Sequence, residues 1–106
     1  MLLDRTVFKM YIKQGCPFCD RAIEKITNEL KTTLQTVDIT ERPEIRESII
    51  AETGHKIVPA IWMGEEFVGG CDDLIKLCEE DSFRIRVINE EIKILRNEVI
   101  RLRRSV

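Results

Sequence analysis

The chain has 106 residues, 43% of them apolar and 34% charged, with a formal net charge of −2. That length predicts one compact domain, large enough to bury a modest core without disulfide staples. No apolar run approaches a membrane span, and Met1-Leu2-Leu3-Asp4-Arg5 is too short and too charged for a signal peptide. A thiol-reducing, cytoplasmic setting is therefore expected, in which four cysteines point to reactivity or burial rather than to a structural framework. The charge is uneven. Residues up to Asp81 hold 10 basic and 16 acidic side chains, and those from Ser82 onward hold 7 basic and 3 acidic.

Thr6-Val7-Phe8-Lys9-Met10-Tyr11-Ile12 is rich in strand formers and nearly continuous in apolar character, as suits a central strand covered on both faces. A helix is predicted from Pro17 to about Lys31, with Ala22, Ile23, Ile26 and Leu30 at helical spacing on one side. Leu34 to Ile39 alternates and predicts a second strand, parallel to the first because a helix separates them. Pro43 starts a second helix, Ile45, Ile49 and Ile50 mark its inner face, and Gly54 is its expected C-terminal cap. Ile57 to Trp62 and Glu66 to Val68 form a predicted hairpin around Met63-Gly64-Glu65. Gly69-Gly70 ends it, and Cys71-Asp72-Asp73 opens a third helix with acids suited to its N-terminus. Leu74, Ile75, Leu77 and Cys78 fill the buried side of that helix. The order predicts an α/β fold, a four-stranded mixed sheet with helices on both faces.

Gln14-Gly15-Cys16-Pro17-Phe18-Cys19 stands at the corner between the first strand and the first helix. Proline suits a first helical turn, and a thiol ahead of it meets free N–H groups and the positive helix end, where thiolates form. Cys-x-x-Cys in such a setting reads as a thioredoxin-like redox site; alone, the motif leaves half a zinc site or chance open.

Four pieces together resemble the glutaredoxin family, over about Arg5 to Asp81. Cys16-Pro17-Phe18-Cys19 is similar to the family's Cys-Pro-Tyr-Cys centre, and Lys13 stands where the family has a lysine. Ile57-Val58-Pro59 resembles the Thr-Val-Pro segment whose proline is cis, and Gly69-Gly70-Cys71-Asp72-Asp73-Leu74 resembles the glutathione-recognition turn. Phe18 replaces the tyrosine and Ile57 the threonine. The resemblance implies a glutathione-dependent thiol–disulfide oxidoreductase. Cys16 is then the nucleophile, its pKa lowered by the helix end, nearby N–H groups and Lys13, and Cys19 the resolving thiol. Glutathione is the implied co-substrate, and no metal is expected. Its glycine carboxylate is expected at Lys13, Arg46 and Lys56, beside Phe18. Its γ-glutamyl end is expected at Asp72, Asp73 and the first N–H groups of the third helix, with Gly70 and the backbone of Cys71. Its cysteinyl backbone is expected on Val58, before a cis Pro59. His55 is read as a surface residue beside that loop, and Trp62 as core. The implied partners are disulfide-containing or glutathionylated proteins, ribonucleotide reductase being common in the family. A glutathione-ligated iron–sulfur cluster carrier and a redoxin served by thioredoxin reductase are the alternatives.

Residues 82–106 carry a separate pattern. Ile85, Ile88, Ile92, Leu95, Val99, Leu102 and Val106 are spaced 3, 4, 3, 4, 3, 4, a strict heptad. The a positions are β-branched and the d positions are Ile88, Leu95 and Leu102, which favours a parallel two-stranded coil. Glu91 and Glu98 at g would face Arg96 and Arg103 at e of a partner. A parallel homodimer through residues 85–106 is expected over a helix folded back on its own domain. Val87, Ile94 and Ile100 lie off the seam and support the folded-back alternative. Nucleic acid is not expected as a partner, since no base-stacking aromatics accompany the basic residues.

Overall fold

The computed structural model describes residues 6–104. Four strands, β1 (Phe8–Ile12), β2 (Leu34–Asp38), β3 (Ala60–Met63) and β4 (Glu66–Gly69), form one sheet in the order β2-β1-β3-β4. β1 pairs parallel to β2, with Phe8 opposite Leu34, and antiparallel to β3, with Phe8 opposite Met63. The hairpin β3–β4 shifts register between Ile61 and Trp62. Among the described residues four α-helices accompany the sheet: α1 (Pro17–Glu24), α2 (Pro43–Thr53), α3 (Cys71–Cys78) and α4 (Asp81–Arg104).

Alternation along the central strands divides the apolar residues between two faces. Phe8, Met10, Ile61 and Met63 pack with Ala22, Ile26, Leu74 and Phe83 in the larger core. Ala60, with Tyr11 and Trp62 beside it, meets Ile39 and Ile49 on the α2 side. Trp62 is part of this second cluster, in line with its reading as core. α2 ends as expected, with Gly54 left-handed at φ +76° and its N–H bonded to the Ile50 carbonyl.

Two elements differ from the sequence reading. The first helix does not run evenly to Lys31: it passes into a π-helical turn over Lys25–Glu29. There the Leu30 N–H reaches back to Lys25, and the Thr27 hydroxyl donates to the Ile23 carbonyl at 2.8 Å, bonds that compete with the regular ladder. β3 begins at Ala60 rather than Ile57, because Ile57 is 69% exposed and Pro59 has no N–H to pair.

From Asp81 to Arg104 the chain is one helix, packed partly on the body. Phe83 and Val87 are buried, with Ile94 against the same core, and the Phe83 ring lies 6.3 Å from that of Phe8. The seam residues Ile85, Ile88, Ile92, Leu95, Val99 and Leu102 are exposed. Val106 lies outside the described residues. Among the described residues, no helix is long and apolar enough to cross a membrane.

Candidate active site

The carboxyl end of β1 delivers the chain to the start of α1. The turn between them is fastened from the next strand. The Gln14 N–H donates to the Thr40 hydroxyl at 3.0 Å, and that hydroxyl and the Thr40 N–H donate to Asp38. Those hydrogen bonds, side chain first, hold the Asp38 carboxyl below its ordinary range.

Cys16 is the N-cap of α1. Its backbone is extended (φ −96°, ψ 107°), Pro17 follows in the first helical turn, and its Sγ accepts the Cys19 N–H at 3.2 Å. Sulfur thus stands where a cap oxygen usually does, and negative charge built there meets the positive helix end. Sγ also lies 3.9 Å from the Val58 carbonyl, to which the thiol donates. Cys19, one turn inward, is 1% exposed. Burial first, then its hydrogen bond to Cys16, pushes its thiol up to about 12; a backbone hydrogen bond from Lys13 opposes the rise. The two thiols are therefore unequal: Cys16 is partly exposed and capped by an N–H, and Cys19 is shielded and protonated.

The second wall is the loop from His55 to Pro59. The Val58–Pro59 bond is cis, as the resemblance implied. The Arg46 guanidinium donates to the Lys56 carbonyl at 3.3 Å, tying α2 to this loop. His55, half-buried rather than on the surface, places Nε2 at 3.1 Å from the Pro59 carbonyl. That oxygen can only accept, so Nε2 carries the proton. The ring also stands edge-on to Phe67, centroids 5.4 Å apart. Sequence reading placed His55 beside this loop but on the surface; the structure brings it into the candidate site. A lone histidine has no periodicity; its place just after the Gly54 cap and four residues before Pro59 was the available signal.

Lys13, Phe18, Arg46, Lys56 and Val58 line one groove of about 390 Å³, with His55 among its other lining residues. Three cations share it, and no carboxylate is among its described lining residues. Phe18 is 54% exposed and offers apolar surface there. The remaining expected residues are placed differently. Pro59 is buried, and Gly70, Cys71, Asp72 and Asp73 form the start of α3. Gly70 nonetheless adjoins the loop: a Cβ on it would lie 3.2 Å from His55 Cε1. Asp73 caps α3, its Oδ2 accepting the Gly70 N–H at 2.9 Å. Its carboxylate also occupies the place of a Cβ on Gly69, whose φ is +119°. Asp72 is exposed, and Cys71 is buried with its thiol raised by that burial. Burial likewise raises the Cys78 thiol. The arrangement offers the partly exposed Cys16 sulfur near a cationic, partly apolar groove, with the capped start of α3 adjoining His55 through Gly70.

Known proteins are similar to this chain in sequence and in fold. A family model described as Glutaredoxin matches residues 8–68. A glutaredoxin of Pseudomonas aeruginosa is 37% identical over 65 residues, covering 61% of this chain and 76% of that protein. Glutaredoxin-1 of Gallus gallus is 33% identical over 81 residues, covering 74% and 80%. The crystal structure of a buckwheat glutaredoxin–glutathione complex superposes with a TM-score of 0.69 at 23% identity, covering 80% of this chain and 78% of that one.

Proposed function

The chain belongs to the glutaredoxin family, and on that premise we propose that it reduces glutathione mixed disulfides and protein disulfides through Cys16, with glutathione as co-substrate. The observation that carries this reading is the inequality of the two thiols: Cys16 takes a helix N–H, while burial and Cys16 itself keep Cys19 protonated.

The Cys16 thiolate attacks the glutathione sulfur of a protein–glutathione disulfide. A Cys16–glutathione disulfide forms and the protein thiolate leaves. A second glutathione thiolate attacks the glutathione sulfur of that adduct, giving oxidised glutathione and returning Cys16. With a protein disulfide as substrate, Cys16 forms a mixed disulfide with one protein sulfur. Cys19 then loses its proton and attacks Cys16, the protein thiol leaves, and two glutathiones reduce the Cys16–Cys19 bond. Once Cys16 is in a disulfide, its hydrogen bond no longer holds the Cys19 proton, and burial with the nearby Asp20 charge is what still opposes ionisation.

Binding follows from the groove. Lys13, Arg46 and Lys56 suit the glycine carboxylate of glutathione. The Val58 backbone, next to Cys16, suits its cysteinyl backbone as an added strand. The start of α3 suits the γ-glutamyl carboxylate, with Asp72 for the ammonium. Asp73 supports that place chiefly by capping the helix. The buckwheat relative's glutathione complex supports the choice of ligand. Glutathionylated and disulfide-containing proteins are the proposed partners, ribonucleotide reductase among the family's common ones.

The test is turnover of a small glutathionylated disulfide with glutathione and its reductase. Cys16→Ser abolishes it. Cys19→Ser retains it but loses dithiol reduction of protein disulfides. Activity retained in Cys16→Ser, or electrons taken from thioredoxin reductase in preference to glutathione, contradicts the reading. Visible cluster absorbance in oxygen-free protein, with no turnover, favours a carrier instead.

A further inference from the structure

One side of α4 is docked on the body. Phe83 and Val87 are buried, Arg86 donates to Glu66, the Glu90 carboxylate lies against Gly64, and Glu91 accepts the Thr32 hydroxyl at 3.2 Å. Gly64 in turn donates to the Val7 carbonyl. α4 therefore crosses the end of the sheet where β1 begins, and Cys16 lies past the end where β1 finishes. Its other side carries Ile85, Ile88, Ile92, Leu95 and Val99, between 47% and 60% exposed. Singly exposed apolar residues are ordinary; a continuous stripe of them marks a contact surface. We propose that this stripe binds the same stripe of a second copy, forming a parallel two-stranded coiled coil that joins two chains at the poles opposite their redox sites.

The occupant follows from the pattern of the stripe. Its residues are the a and d positions of a heptad, with Ile85, Ile92 and Val99 β-branched at a, the choice that suits parallel pairs. The flanks are self-complementary. Glu91 and Glu98 at g border the cleft between α4 and residues 27–33, Glu91 holding the Thr32 hydroxyl through one oxygen, and as g positions they meet Arg96 and Arg103 at e of a parallel partner; an antiparallel partner sets these e-position arginines on its own e positions. The docked residues Phe83, Val87 and Ile94 lie off the seam. A two-fold axis along the coil therefore carries the two bodies to opposite flanks. Both Cys16 sulfurs stay open, so the pairing does not run through the redox centre.

Sedimentation equilibrium of the full, reduced chain over a wide range of concentration tests this. The expected mass rises from one chain to two and no further. Ile92→Glu with Leu95→Glu weakens pairing by more than about 100-fold, since like charges meet in the seam, while the circular dichroism and the turnover per chain stay unchanged. Arg96→Glu with Arg103→Glu pairs poorly with itself and regains pairing when mixed with Glu91→Lys, Glu98→Lys chains. A chain that stays single at every concentration overturns the proposal. So does a dimer indifferent to the seam substitutions, or one that the charge exchange does not rescue. Monomers that instead bind phosphatidylglycerol vesicles through this face assign it to a lipid surface, and also overturn it.

Discussion

The pole that carries Cys16 and the pole crossed by α4 belong to one sheet but are held in different ways. At the first, directional bonds place the groups. Thr40 receives the Gln14 N–H, Cys16 the Cys19 N–H, Asp73 the Gly70 N–H, and Pro59 the His55 ring. At the second, buried volume is central, with Phe83 and Val87 filling the core beside Phe8, and the Arg86–Glu66 and Thr32–Glu91 contacts lie at its exposed rim. Chemistry that needs a sulfur within reach of a particular N–H depends on the first kind of order. Packing of a helix depends on the second, and leaves the outer side of that helix available for a different use.

Substitutions at the two poles sharpen the contrast. The largest effect is expected at Cys16: Cys16→Ser lowers turnover by roughly 10³-fold or more and leaves the unfolding midpoint in urea almost unchanged. Phe83→Ala reverses the pattern. It removes a fully buried ring and costs about 3–5 kcal/mol of stability, read from urea unfolding. Leu95→Ala, 60% exposed on the same helix, changes the stability of the dilute, monomeric chain by less than about 0.5 kcal/mol. Equal costs at Phe83 and Leu95 would break the distinction between the docked and outer sides of α4.

The Cys19 thiol couples the site to stability at high pH. Its folded pKa is raised from 9.0 to about 12, by burial first, so the folded chain keeps a proton that the unfolded chain releases. That contribution is complete below 9.0 and is lost as pH rises toward about 12. Cys71 and Cys78, also raised by burial, act in the same direction. Unfolding measured across that window shows a shallower fall in Cys19→Ser than in the parent; an unchanged slope would mean that Cys19 ionises alike in both states. A modest effect on turnover is expected at His55. His55→Ala removes the hydrogen bond to Pro59 and lowers kcat/KM about 5-fold, the value of one hydrogen bond of about 1 kcal/mol. Its main component is a raised KM for the glutathionylated substrate. His55→Gln, which keeps a side-chain N–H, recovers part of it, and equal loss in both variants would place the histidine's role elsewhere.

Much of the first pole was legible in the sequence because its groups sit in short motifs. Cys16-Pro17 announces a helix start, Gly54 a helix end, and Gly69-Gly70 a break before acids that suit a helix N-terminus. The nearly continuous apolar run from Thr6 to Ile12 announced a central strand covered on both faces. The π-helical turn was not legible, since it depends on how Leu30 and Thr27 share carbonyls of the preceding turns. The docking of α4 on the body was only half legible. The heptad through Ile85, Ile92 and Val99 dominates its periodicity. Val87 and Ile94, already legible as an apolar face off the seam, join Phe83 in a second stripe, and Phe83 is the member whose place over Phe8 only the structure gives.

The most direct measurement is a trapping experiment on Cys19→Ser. The reduced variant is mixed with a glutathionylated peptide and quenched with acid, and the chain is then mapped by mass spectrometry. The expected product is a single glutathionyl group on Cys16 with the peptide released as its thiol. A chain that carries the peptide in place of glutathione, or carries the adduct on Cys71 or Cys78, would contradict a glutathione site built around Cys16.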